Sequence, residues 1–180
     1  PHPIAMPGGS KGGETSAYCL IAFLASNGAR ILDDGGIALD SPATAETLEF
    51  LRSLVDEGLM SADVVGHEWT RPVRLFAEGK AALSVGGSYE AHTLAEAFGV
   101  SMRELWGKVG FIPVPAGPRG RAASVAGSMA YAIFRQSAQP QLAMRVLESA
   151  VAPRALAGLA QATGRVPARR SAVELAAPGL

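Results

Sequence analysis

The stretch Phe76–Glu90, FAEGKAALSVGGSYE, holds the side chains of this sequence best suited to chemistry. Ser88 offers a hydroxyl behind two glycines, Tyr89 a ring with a polar edge, and Glu90 a carboxyl. His92 follows on the same segment. Three chemistries fit such a corner: a nucleophile turn, an anion cradle, or a place where backbone and ring meet a neutral ligand. A nucleophile elbow is G-x-S-x-G at a strand-to-helix turn. Gly86-Gly87-Ser88 supplies its first half, but Glu90 stands where the closing glycine belongs. His92 is too close in sequence to serve as the triad base, and His2, His67 and His92 have neither triad nor metal-ligand spacing. Ser88 can instead be read as a helix N-cap. A hydrolase using Ser88 is therefore the alternative reading, behind a non-catalytic one with no catalytic residue.

The anion cradle fails on pattern. A phosphate loop needs G-x-x-x-x-G-K-[ST]; in GGSKGGET, Gly12 follows Lys11 where a hydroxyl is required. No dinucleotide fingerprint is present, GSKGG reads as a mobile loop, and no cofactor or bound metal is expected. What remains are aromatics at element ends. Only 6% of residues are aromatic, yet Tyr18 falls at the start of a helix, Trp69 just before one, and Tyr89 after the glycine corner. Together they suit a ligand with an apolar face and a polar edge, such as a sugar ring. Each alone is equally a core-edge residue. Gly86 and Gly87 are expected to take positive φ and to clear space for close approach.

The elements that must position these residues follow from capping and periodicity. The chain has 180 residues, 48% of them hydrophobic, and a formal net charge of zero. That is enough for a globular core and argues against nucleic acid as a partner. Two basic groups, Arg119/Arg121 and Arg165/Arg169/Arg170, read as solvated faces. A single cysteine, Cys19, excludes an internal disulfide and any cysteine-based zinc site. It lies in AYCLIAFLA, too short to span a bilayer. The first residues lack the pattern of a secretory signal.

A short strand is expected at Ile4–Met6 and a buried helix at Ser16–Ser26, stopped by Asn27-Gly28. Asp-Asp-Gly-Gly makes a hairpin. Ser41-Pro42 opens a helix with Leu48, Leu51 and Val55 on one face, flanked by Phe50 and Leu54. Thr70 with Pro72 opens the next, closed by Gly79. Strands are expected at Ala81–Val85, Val109–Val114 and Met129–Phe134. Ser88 caps a helix through Phe98, with a further turn in MRELW. Pro140 starts a helix bearing Leu142, Val146 and Leu147, and Pro153 starts one ended by Gly164. Ser171 and Glu174 form a capping box for the last. Alternating helices and short strands place the chain in the α/β class.

The ordered pieces SNGARILDDGG, SPATAETLEFLRSLVDEGL, LFAEGKAALSVGGSYE, VGFIPVPAGPRG, SVAGSMAYAIFRQSAQPQLAMRVLESAV and QATGRVPARRSA resemble the family 1 extracellular solute-binding proteins of bacterial ABC importers, the group of the maltose binders. The resemblance covers most of the chain. It implies an α/β lobe of the type II periplasmic-binding-protein fold within an incomplete two-lobed architecture, because members are considerably longer. Residues 1–124 would form the second lobe, 125–150 a hinge strand and helix returning to the first, and 151–180 C-terminal helices near the hinge or second lobe. It further implies extracellular or periplasmic capture of a sugar or oligosaccharide, delivery to importer membrane subunits, and a lipid anchor in the full-length protein. The matching site positions are Tyr18 and Trp69, then Gly87, Tyr89 and Glu90 at the corner, Gly127 and Ser128 at the hinge, and Arg165 in TGRVP.

Overall fold

Pro3 to Val85 closes on itself through parallel strand pairing. In the computed structural model, which describes residues 1–176, β1 (Ile4–Ala5) pairs in parallel with β4 (Leu83–Ser84), Ile4 opposite Leu83 and Ala5 opposite Ser84. Met60 bridges to Ile4 on the other side. Parallel neighbours require long crossovers, here supplied by helices. The chain divides into two compact units, residues 1–86 with 110–126 and residues 87–109 with 127–180; residues 177–180, the end of the expected 151–180 segment, lie outside the described residues.

In the first unit α1 (Gly13–Ser26) follows a tight glycine turn. It starts three residues before the expected Ser16, so Tyr18 sits in its second turn. GSKGG, expected as a loop, forms a 3-10 turn at Ser10–Gly12 that runs into α1. A Cβ at Gly8 would lie 2.5 Å from the Val64 carbonyl oxygen, and one at Gly9, whose φ is 63°, would meet that of Val65. Only glycine lets two backbones approach so closely. Cys19, Met6, Leu54 and Met60 form the core, with Ile4, Phe23, Leu51, Val55 and Val85 packed around them. The hairpin of β2 (Leu32–Asp33) and β3 (Gly36–Ile37) forms as expected.

α2 (Pro42–Asp56) has the expected cap: Ser41 Oγ accepts from Thr44 N at 3.2 Å. Leu51, Leu54 and Val55 of the expected face pack in the core, but the buried face also takes in Thr47 and leaves out Leu48 and Phe50, which are half exposed. The reason is Asn27, whose buried amide donates to Glu46 Oε2 at 2.9 Å and Thr47 Oγ1 at 3.3 Å. That polar demand turns Thr47 inward, and Thr47 in turn donates to Ala43 O at 2.7 Å. α3 (Arg71–Ala77) buries Val73. Thr70 and Pro72 open it as expected, but the Thr70 side chain makes no capping bond: its hydroxyl donates to Glu68 and accepts from Arg74.

Three expected strands shrink. Ala81–Val85 is reduced to the two residues of β4. Val109–Val114 keeps a single antiparallel bridge, Val114 to Ala123. Met129–Phe134 is in no strand among the described residues, and Met129, Tyr131 and Phe134 are exposed. Alternation marks a segment that can pair, but a strand exists only with a neighbour to bond.

The second unit is helical. A 3-10 turn at Ser88–Glu90 leads into α4 (Ala91–Phe98), so Ser88 lies inside the turn and is not the N-cap expected. Gly99, at φ 62°, ends α4. Ser101 and Glu104 then form a capping box for α5 (Met102–Leu105). Ala91, Leu94, Ala95 and Leu105 are buried. α6 (Pro140–Ala150) has no buried residue, and Leu142 and Val146 of its expected core face are exposed. α7 (Pro153–Thr163) packs on α8 (Arg170–Ala176) through Ala157, Ala160 and Ala176. α8 begins at Arg170, which puts Ser171 within the helix rather than at the expected cap.

Candidate functional site

The glycine corner is built from the backbone outward. Gly87 is extended, at φ −150°, and neither it nor Gly86 is among the positive-φ glycines. The expectation of positive φ is therefore wrong. The other half of the argument holds at Gly87: a Cβ there would lie 2.6 Å from Tyr89 Cε1 and 3.0 Å from Cδ1. The missing side chain leaves room for the Tyr89 ring, which is half buried. The turn is then tied by Glu90 N donating to Gly87 O at 3.0 Å.

Glu90 is 5% exposed. Burial pushes its carboxyl up to about 7, against a smaller opposing pull from a hydrogen bond with the Gly87 backbone. The corner thus rests on a carboxyl group taken out of water. His92 Nε2 lies 3.2 Å from Glu96 Oε1, one turn further along α4.

Gly164, buried and at φ 69°, brings the end of α7 onto this corner. A Cβ there would fall 2.9 Å from Ala91 Cβ and 3.5 Å from Ser88 O. Arg165 follows directly, exposed, with Nη1 3.9 Å from Met129 Sδ. Met129 adjoins Gly127 and Ser128, both exposed. The second unit therefore holds six of the eight sequence-derived site residues, linked through Gly164 and Met129. Tyr18, 40% exposed, and Trp69, 50% exposed, belong to the first unit.

Sequence reasoning missed two features. Arg119 is not simply solvated: its Nε donates to Glu46 Oε2 at 2.9 Å, and its backbone N to Asn27 Oδ1 at 3.2 Å. Glu46 is held below the usual carboxylate range, first by the Asn27 hydrogen bond and then by Arg119. The loop around Gly117–Gly120 is clamped on the end of α1, where Gly117 N donates to Ser26 O at 2.9 Å. The second is His67, buried before Trp69. Its signal in the sequence was Asp63, one helical turn earlier.

Residues 5–178 match the family model described as bacterial extracellular solute-binding protein. The chain belongs to this family. A binding protein of Brucella abortus (strain 2308) is 26% identical over 136 residues, 75% of this chain and 31% of its own length. Maltose-bound MalE3 of T. maritima aligns with a TM-score of 0.82 at 22% identity, covering 99% of this chain and 46% of that one. An ABC transporter solute-binding protein of Thermotoga lettingae TMO, bound with α-D-tagatose, gives a TM-score of 0.75 at 20% identity, covering 96% and 44%. At such identities the likeness shows the fold, part of a type II periplasmic-binding-protein architecture. The chain spans about a third of the length of this curated relative and under half of each of these two solved structures. Among its described residues no helix is long and apolar enough to cross a membrane.

Proposed function

We propose that the chain contributes to the capture of a sugar or oligosaccharide outside the cell, for delivery to the membrane subunits of an ABC importer, and that it binds rather than transforms its solute. The observation that carries this reading is the Tyr89 ring, seated against Gly87 and partly open. Carbohydrate C–H groups pack on such a face while backbone groups bond the hydroxyls. Family membership and the maltose and α-D-tagatose held by two similar structures support the same solute class.

In this proposal Tyr18 and Trp69 in the first unit, and Gly87, Tyr89, Glu90, Gly127, Ser128 and Arg165 in the second, are the solute-contacting residues. Residues 1–124 belong to the second lobe of a longer protein, 125–150 supply a hinge strand and helix returning to the first, and 151–180 pack near the hinge or second lobe. The protein works in the periplasm or outside the cell, with a lipid anchor in its full-length form.

The test is a thermal-shift screen of the full-length protein against maltose, tagatose and longer oligosaccharides. A bound solute at 100-fold its Kd adds roughly 2.7 kcal/mol of stability. Tyr89→Ala should weaken that binding by about 1.5–3 kcal/mol, the range for burying one large side chain, while leaving the fold intact. Unchanged affinity in a folded Tyr89→Ala protein would remove the corner from the site.

A further inference from the structure

His67 is buried in the first unit between two oxygen atoms. Its Nδ1 lies 3.3 Å from the Met6 carbonyl oxygen, at the end of β1. Its Nε2 lies 3.1 Å from Asp63 Oδ1, in the turn that precedes it. A backbone carbonyl can only accept. Asp63 can only accept while it is ionised, and a hydrogen bond from Ser61 foremost, aided by His67, holds it below the usual carboxylate range. A neutral imidazole carries one N–H and can serve only one of these oxygens; the other then faces a lone pair. The doubly protonated ring serves both.

These two contacts join separate pieces of the unit. Met6 leads from β1 into the Gly8-Gly9 turn, and Asp63 belongs to the turn at Ala62–Gly66. The second turn packs on the first through the close approaches at Gly8 and Gly9. Trp69 lies two residues beyond His67, before α3 begins.

We propose that His67 is a proton-operated latch, which on gaining its second proton draws the Trp69-bearing segment 61–70 against the end of β1. Acid tightens the latch and alkali leaves one of its two contacts unmade. The charged and titratable groups around the ring are Asp63 on its own segment and His2, Arg71 and Lys80, which line the same cavity of about 290 Å³. Lys80 pairs with Glu78 at 2.6 Å, and His2 Nδ1 lies 2.8 Å from Gly58 O, so each has a partner of its own. The latch goes beyond the solute-capture proposal and is tested without solute, so the two can fail separately.

The experiment is an NMR titration of the chain from about pH 8 to 5, the range in which histidines change charge. It follows the His67 ring nitrogens, the Trp69 indole and the amides of residues 61–70, with Trp106→Phe to identify the indole. Both ring nitrogens should be protonated at the acid end, and the Trp69 indole should shift with the same midpoint. That shift should be lost in His67→Gln and kept in His2→Gln and His92→Gln. It should shrink in Asp63→Asn, whose amide can donate to the unprotonated nitrogen. Asp63 is largely exposed, so this last variant decides if His67→Gln fails to fold. A Trp69 signal that stays constant while His67 titrates, or a transition that survives unaltered in Asp63→Asn, overturns the latch.

Discussion

At position 87 a methyl group would land inside the electron cloud of the Tyr89 ring. Gly87→Ala should therefore destabilise the second unit by about 1–3 kcal/mol, the usual cost of overpacking, or displace the ring. Denaturant unfolding measures the first and near-ultraviolet dichroism the second. In a Tyr89→Ala background the same change should cost much less, because the clash has no partner. Glu90 gives a prediction in pH. Its folded value of about 7 lies above the ordinary 4.5. Below pH 4.5 the folded and unfolded forms both hold the proton, and nothing is lost. Between 4.5 and 7 the unfolded chain releases the proton first, so stability falls as pH rises and levels off above 7. The loss is about 3 kcal/mol for a shift of this size. Glu90→Gln should flatten that part of the stability profile, as read by urea unfolding at a series of pH values. A parallel slope in the variant would show that the carboxyl is not the cause.

At the scale of elements, helices were legible where local chemistry decides them. Ser41-Pro42 both announces and caps α2, and Ser41→Ala should cost about 1 kcal/mol, measurable by chemical denaturation. Gly99 and Gly164 end their helices because the backbone there is left-handed. Strands were less legible. A two-residue pairing such as β1 with β4 depends on which segments lie side by side, and alternation at Met129–Phe134 carries no such information. On α2, where Leu51, Leu54 and Val55 pack as expected, the place of Leu48 was misread for a related reason. Periodicity sees Leu48 as apolar, but not that Asn27, twenty residues before Thr47, needs partners. Asn27→Leu should loosen the 117–120 loop as well as α1, since Gly117, Arg119 and α2 all meet there. Faster amide exchange at Arg119 is the expected readout. At the candidate site, the pattern of the corner made the closeness of Gly87 to the Tyr89 ring legible. It missed the closeness of Gly164 to Ser88, a contact made by folding across more than seventy residues.

At the scale of the whole chain, the second unit presents apolar side chains that its own described residues leave open: Met129, Tyr131, Phe134, Leu142, Met144 and Val146. A groove of about 470 Å³ runs between Ile133, Phe134, Val146 and Leu147. Exposed apolar surface on this scale attracts hydrophobic probes. Val146→Glu should lower binding of an environment-sensitive dye without lowering the unfolding midpoint; unchanged dye binding would place the probe elsewhere.

The core of the first unit has a consequence for measurement. Cys19 is the single cysteine of the sequence, 5% exposed, with its sulfur 3.7 Å from the Val85 carbonyl between α1 and the end of β4. A thiol in that position meets a labelling reagent only when these elements separate. The chain therefore carries its own clock for one unit. The modification rate under increasing denaturant reports the free energy of opening that unit alone, with no engineered probe. With Trp69 of the first unit replaced by Phe, Trp106 in the other unit gives an independent optical signal. If the two report the same midpoint and slope, the units unfold as one cooperative block. If the thiol reacts while Trp106 remains native, a partly open species exists in which the first unit has come apart.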